Sequence, residues 1–107
     1  MKGMGGGLQN LMKQANQMQA RIKKLQEELQ SREFTGSSGG GGVTVTATGG
    51  NTIKSVKINP EIFSAGDAEM LQDMVVSATN EALKVAKETS DAEMSKITGG
   101  MGIPGLF

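Results

Sequence analysis

The sequence contains neither cysteine nor histidine. Those absences exclude disulfides, Cys/His zinc sites, thiol nucleophiles, haem ligation and any catalysis resting on an imidazole that titrates near neutral pH. Tryptophan and tyrosine are also missing and phenylalanine occurs only three times. The stacking platforms on which single-stranded nucleic-acid readers hold bases are therefore lacking. No apolar run approaches the roughly 18 residues of a membrane span. The start, Met1-Lys2-Gly3-Met4, leads into glycines rather than into the apolar core of a signal peptide. The expectation is a soluble cytoplasmic protein that is not an enzyme, with no membrane, small-molecule, cofactor or metal partner. Sixteen glycines and eight methionines stand in for aromatic core material, and thioethers fill irregular gaps between helices where rigid rings do not.

A length of 107 residues fits one domain, residues 1–107. Eleven Lys and Arg balance eleven Asp and Glu, for a formal net charge of zero. That zero is a cancellation. Residues 1–26 carry Lys2, Lys13, Arg21, Lys23 and Lys24 and no acid, a net of +5. Residues 61–107 carry eight acids against Lys84, Lys87 and Lys96, a net of −5. Two readings follow from this polarity along the chain: a basic interaction surface, or two oppositely charged helices that attract each other.

From Leu8 the apolar residues Leu8, Leu11, Ala15, Met18, Ile22, Leu25 and Leu29 recur at alternating steps of three and four. That spacing predicts a coiled-coil-like helix over 8–32, whose narrow stripe packs against one partner helix. Residues 1–7 are expected to form a flexible glycine-rich start. Over 33–58 the period changes, and three strands are predicted. Phe34-Thr35 is a short first strand, Val43–Thr48 alternates apolar and hydroxyl residues, and Ile53–Ile58 returns. Gly36–Gly42 reads as a flexible connection, and Gly49-Gly50-Asn51 as a turn using positive φ. Ile53 is out of phase with Val56 and Ile58, which predicts a bulge near Lys54-Ser55. Asn59-Pro60 ends the sheet. Asp67 then caps a second, acidic helix over 67–98, and 99–107 is expected to be a flexible tail. Helices of about 36 and 46 Å exceed a compact protomer of this length, whose radius of gyration is near 13 Å. They must project, and so small a core predicts self-association.

On the first helix Lys13, Gln17, Ala20 and Lys24 share an outer line opposite the apolar stripe, flanked by Arg21 and Lys23. Gln17 lies on that line, Gln9, Asn10, Gln14, Asn16 and Gln19 around it add hydrogen-bond donors, and residues 1–26 hold no carboxylate to repel an anion. The candidate DNA-binding residues are thus Lys13, Arg21, Lys23, Lys24, Gln14 and Gln17. A solvated polar face, or one that meets an acidic protein, fits the same composition. The glycine stretches lack the Gly-Lys-Ser/Thr ending of a phosphate loop. Glu69 and Asp73 share a helix face but have no third ligand for a cation.

Several short segments, in order, carry a resemblance. They are Leu11-Met12-Lys13-Gln14-Ala15 with Met18-Gln19, Thr35-Gly36 and a glycine loop into Val43-Thr44-Val45, and Val56-Lys57-Ile58-Asn59-Pro60. Glu69-Met70-Leu71-Gln72-Asp73, Asn80-Glu81-Ala82 and Gly99-Gly100-Met101 complete the series. Together they resemble the YbaB/EbfC nucleoid-associated DNA-binding proteins of bacteria, which also occur in plastids. The resemblance implies an α+β fold, an α-β-β-β-α protomer with a small antiparallel sheet and two long helices, dimerising into a tweezer-like shape. It further implies a homodimer that binds double-stranded DNA with little or modest sequence preference, organises the nucleoid and regulates expression. The implied location is the nucleoid, or the plastid stroma in a plastid-bearing source. Only Lys13 and Lys57 among the basic residues fall on the resembling motifs. The sequence departs from the usual pattern at Asn59, where Asp is often found, and in the length of its 36–42 glycine loop. A protein–protein scaffold of coiled-coil type, with no direct DNA contact, is the rival reading.

Overall fold

The change of period at Glu33 is where helix gives way to sheet in the computed structural model, which describes residues 2–98, with side chains from Gly7 onward. Helix α1 spans Lys2–Ser31, followed by strands β1 (Glu33–Ser37), β2 (Val43–Thr48) and β3 (Ile53–Ile58). A short helix α2 (Pro60–Ser64) and the long helix α3 (Ala68–Thr98) complete the order. The strands form one antiparallel sheet in the order β1-β2-β3. The architecture is the expected α+β.

Strand pairing decides which residues share a face. Phe34 lies opposite Ala47, Gly36 opposite Val45, Val45 opposite Val56, and Val43 opposite Ile58. Helix α3 covers this face over β1 and β2. It does so with small residues, burying Ala78 and Ala82 against Val43, Val45 and Ala47. Small side chains let the helix sit low on the sheet. At Gly36 it sits so low that an added Cβ would fall within the α3 backbone at Ala78 and Ala82. A second cluster of Leu29, Phe34 and Ala86, supported by Leu25, Val85 and Met94, fastens the end of α1 to α3.

The predicted bulge is present. Thr46 pairs with Ser55 and Ala47 with Ile53, so Lys54 is the extra residue. It returns Ile53 to the face of Val56 and Ile58, which explains the broken alternation in the sequence.

Other expectations are corrected. The helix does not wait for Leu8: α1 begins at Lys2 and runs through Gly3 and Gly5–Gly7, and it ends at Ser31 rather than Arg32. Glycine costs a helix about 1 kcal/mol relative to alanine but does not forbid extension of a helix already nucleated. The 36–42 connection is ordered. Gly36 and Ser37 belong to β1, and Gly39–Gly41 form one 3-10 turn with Gly40 and Gly41 at φ 78° and 75°. Buried Ser38 closes the loop, its Oγ accepting from the Val43 amide at 3.0 Å.

In the β2–β3 turn only Asn51 takes positive φ, at 63°. Gly49 is small for another reason, because a Cβ there would strike the Leu29 carbonyl. The amides of Gly49 and Gly50 donate to the carbonyls of Arg32 (3.2 Å) and Gln30 (3.3 Å). The turn therefore serves carbonyls at the end of α1 that have no partner within the helix.

Helix α2 was not anticipated, although Asn59-Pro60-Glu61 carries its signal. The Asn59 Oδ1 accepts from the Glu61 amide at 2.9 Å, and Pro60 occupies the first turn. Asp67 caps α3 as expected, its Oδ1 accepting from the Met70 amide at 2.9 Å. The predicted 99–107 tail lies outside the described residues. The molecule measures 78 × 22 × 16 Å with a radius of gyration of 21.0 Å. Projection of the helices beyond a compact body follows.

Candidate nucleic-acid interface

Helix α1 meets α3 only near its end, where Leu25 and Leu29 pack with Val85, Ala86 and Met94. Upstream the apolar stripe is bare, with Leu8, Leu11 and Met12 exposed to 61, 65 and 59%. The expectation that the whole stripe packs on one helix is met at the C-terminal end alone. The rest of α1 is an arm.

All six predicted site residues lie on that arm and all are exposed. At 100° per residue, Lys13, Gln17 and Lys24 follow one line opposite the apolar stripe, with Arg21 to one side and Lys23 to the other. Gln14 stands nearest the stripe. Lys13 and Lys24 are about 16 Å apart along the axis. A shallow groove along the arm joins Lys13 and Gln17 to Gln9, Met12, Asn16 and Ala20. Gln9 and Asn16 share this groove with two of the six. Both are among the donors that the sequence places around the basic line, four and three residues from Lys13.

The ion pairs decide between the two readings of the charge polarity. Arg32 binds Glu28 at 2.6 Å, Lys54 approaches Glu33 at 3.7 Å, and Lys96 approaches Glu93 at 3.5 Å. Among the described residues none of these pairs joins α1 to α3, and none engages Lys13, Arg21, Lys23 or Lys24. Mutual attraction of the two helices does not occupy the basic residues. Their charge faces water, and Glu27 and Glu28 follow it only in the last turns before the sheet.

The remaining candidates are less organised. Glu69 and Asp73 line a surface depression with Ser38, Gly39 and Asp67. Among the described residues no group of metal-ligating side chains is placed to hold an ion. Lys57 pairs with Thr44 on the sheet face turned away from α3, far from the arm in the fold. No helix of the described residues is long and apolar enough to cross a membrane.

A family model described as the YbaB/EbfC DNA-binding family matches residues 4–101. The chain belongs to that family. It is 53% identical over 106 residues to a nucleoid-associated protein of Acetivibrio thermocellus, with 98% of this chain and 94% of that protein covered. It is 50% identical over 107 residues to a nucleoid-associated protein of Clostridium novyi, with the same coverage of 98% and 94%. The crystal structure of an uncharacterized protein, HP0035 from Helicobacter pylori, shares the fold at a TM-score of 0.67 and 25% identity, covering 83% of this chain and 94% of that one. These relatives come from bacteria, and the plastid location entertained from the resemblance finds no support among them.

Proposed function

We propose that the chain is a nucleoid-associated protein of the bacterial cytoplasm that binds double-stranded DNA through the basic face of the α1 arm. The observation that carries this reading is the set of exposed cations, Lys13, Arg21, Lys23 and Lys24, with no carboxylate partner among the described residues. Family membership supports the same partner. Lysine and arginine on an arm neutralise phosphates without reading sequence, while Gln9, Gln14, Asn16 and Gln17 add neutral donors. Preference among sequences is accordingly small. Binding of this kind releases counterions. If a dimer neutralises about 4 to 8 phosphates, log K falls with log salt at a slope of roughly −4 to −7. Mobility shifts on unrelated duplexes over a salt series test this; binding indifferent to salt, or absent at low salt, overturns it. The scaffold alternative gives a different result in cells, since partners held by protein contact survive nuclease and those held by DNA do not.

The working unit we infer is a homodimer. Beyond the cover of α3, the buried row Val43, Val45 and Ala47 continues onto β3 as Ile58, Val56 and Ile53, which stay partly exposed. β3 is also an edge strand with unpaired backbone groups. A second copy seated there covers both and presents the basic arm twice, in keeping with nucleoid organisation and an effect on expression. Val56→Lys with Ile58→Lys is expected to halve the mass at sedimentation equilibrium while leaving the far-ultraviolet spectrum of the protomer intact. A dimer that survives both substitutions removes β3 from the interface.

A further inference from the structure

The cations of the arm stand along two edges rather than one. At 100° per residue, Lys13 and Lys24 mark one edge of the polar face, with Arg21 beyond them, and Lys23 marks the other. Between the edges runs a neutral strip of Asn16, Gln9 and Ala20, within about 40° around the helix. All three are exposed. They also line the shallow groove that holds Lys13 and Gln17. An amide or a methyl group neutralises no phosphate, so electrostatic attraction leaves this strip without a part to play.

The arrangement matches the cross-section of a duplex groove. An α-helix with its side chains is about 10–12 Å across, and the major groove is about 12 Å wide with a phosphate strand along each side. A helix laid in it turns its edge cations toward the two strands and its middle strip toward the bases. Upstream of Leu25 the arm is clear of α3, so among the described residues no element bars that approach. Along the axis Gln9 and Asn16 are about 10 Å apart and Asn16 and Ala20 about 6 Å, close to three and two base-pair steps of about 3.4 Å. Asn and Gln amides pair with N6 and N7 of adenine, and an alanine methyl packs on the methyl of thymine. Residues 1–26 hold no carboxylate to accept from the amino group of cytosine.

We propose, resting on the DNA-binding reading of this face, that the arm lies in the major groove and that Gln9, Asn16 and Ala20 there favour A·T over G·C pairs. The preference is about tenfold, within the range of a single bidentate contact. That is small beside the thousandfold or more of a dedicated sequence reader.

The test is a competition mobility shift with the full chain, using alternating A·T and alternating G·C duplexes of equal length at ~0.15 M salt. The A·T duplex is expected to compete about tenfold better. Replacing its adenine by 7-deazaadenine removes the N7 acceptor from the major groove and keeps the pairing and the minor groove, and most of the difference is expected to vanish. Gln9→Ala with Asn16→Ala should do the same from the protein side while keeping the salt slope and the affinity for the G·C duplex, because no phosphate contact is lost. Both amides are exposed and alanine favours a helix, so the arm persists in that variant. Equal competition by the two unmodified duplexes overturns the proposal. So does a preference that survives 7-deazaadenine or the double variant, since duplex shape or another face then supplies it. A double variant that loses affinity for both duplexes alike, with a flatter salt slope, assigns the amides to phosphate and overturns base reading. Failure of the parent protein to bind either duplex at low salt overturns the DNA-binding reading itself, and base reading with it.

Discussion

Gly36→Ala is expected to lower the melting temperature by roughly 4–24 °C, whereas Gly39→Ala, three residues on, should leave it nearly unchanged. A Cβ at Gly36 meets the α3 backbone at Ala78 and Ala82, while one at Gly39 meets nothing within 4 Å. Backbone cannot yield as a flexible side chain does. The helix must lift off the sheet, loosening the packing of Val43, Val45 and Ala47 on Ala78 and Ala82. Overpacking a tight core costs about 1–3 kcal/mol, and in a domain near 100 residues each kcal/mol moves the midpoint by about 4–8 °C. Total stability is only about 5–15 kcal/mol, so a larger residue, as in Gly36→Val, should leave much of the protein unfolded. Thermal melts followed by circular dichroism compare the variants directly. Equal stability of the alanine variants at 36 and 39 would mean that α3 does not lie on β1 as described.

The contrast between those glycines shows which parts of the fold were legible in the sequence. Local chemistry was readable: the period-two pattern of Val43–Thr48, the Asp67 cap, and the displaced Ile53 that marks the bulge each depend on near neighbours. Gly36 and Gly49 read as loop composition because the reason for their smallness lies across the fold, at Ala78 and Ala82 in one case and at Leu29 in the other. Helix α2 was readable from Asn59-Pro60-Glu61 but hidden by the stronger strand-ending signal of the proline. At the interface, the identity of the cations was legible. Their freedom was not, since it depends on where α1 and α3 overlap. That overlap is confined to the end of α1 around Leu25 and Leu29, a tertiary fact that no helical period encodes.

Replacing Lys13, Arg21, Lys23 and Lys24 together by glutamine is expected to reduce affinity for duplex DNA on the order of a hundredfold or more at ~0.15 M salt, and to flatten the salt dependence. Every phosphate that is no longer neutralised takes about one unit off the slope, and in a dimer both arms are affected. The protomer should be unaffected. All four side chains are exposed and take part in no ion pair among the described residues, and surface changes of this kind fall within about ±0.5 kcal/mol. A melting curve and a sedimentation mass matching the parent protein therefore accompany the weaker binding. Total charge also falls in this variant, so Lys84→Gln with Lys87→Gln on α3 supplies the comparison. Those lysines are exposed on the acidic helix, and their removal changes net charge in the same direction without touching the arm. If binding depends on the α1 face, that pair lowers affinity only slightly and leaves the salt slope close to the parent value. Equal losses per charge removed on the two helices would instead assign the attraction to the overall field of the protein, and the arm would have no special part in it.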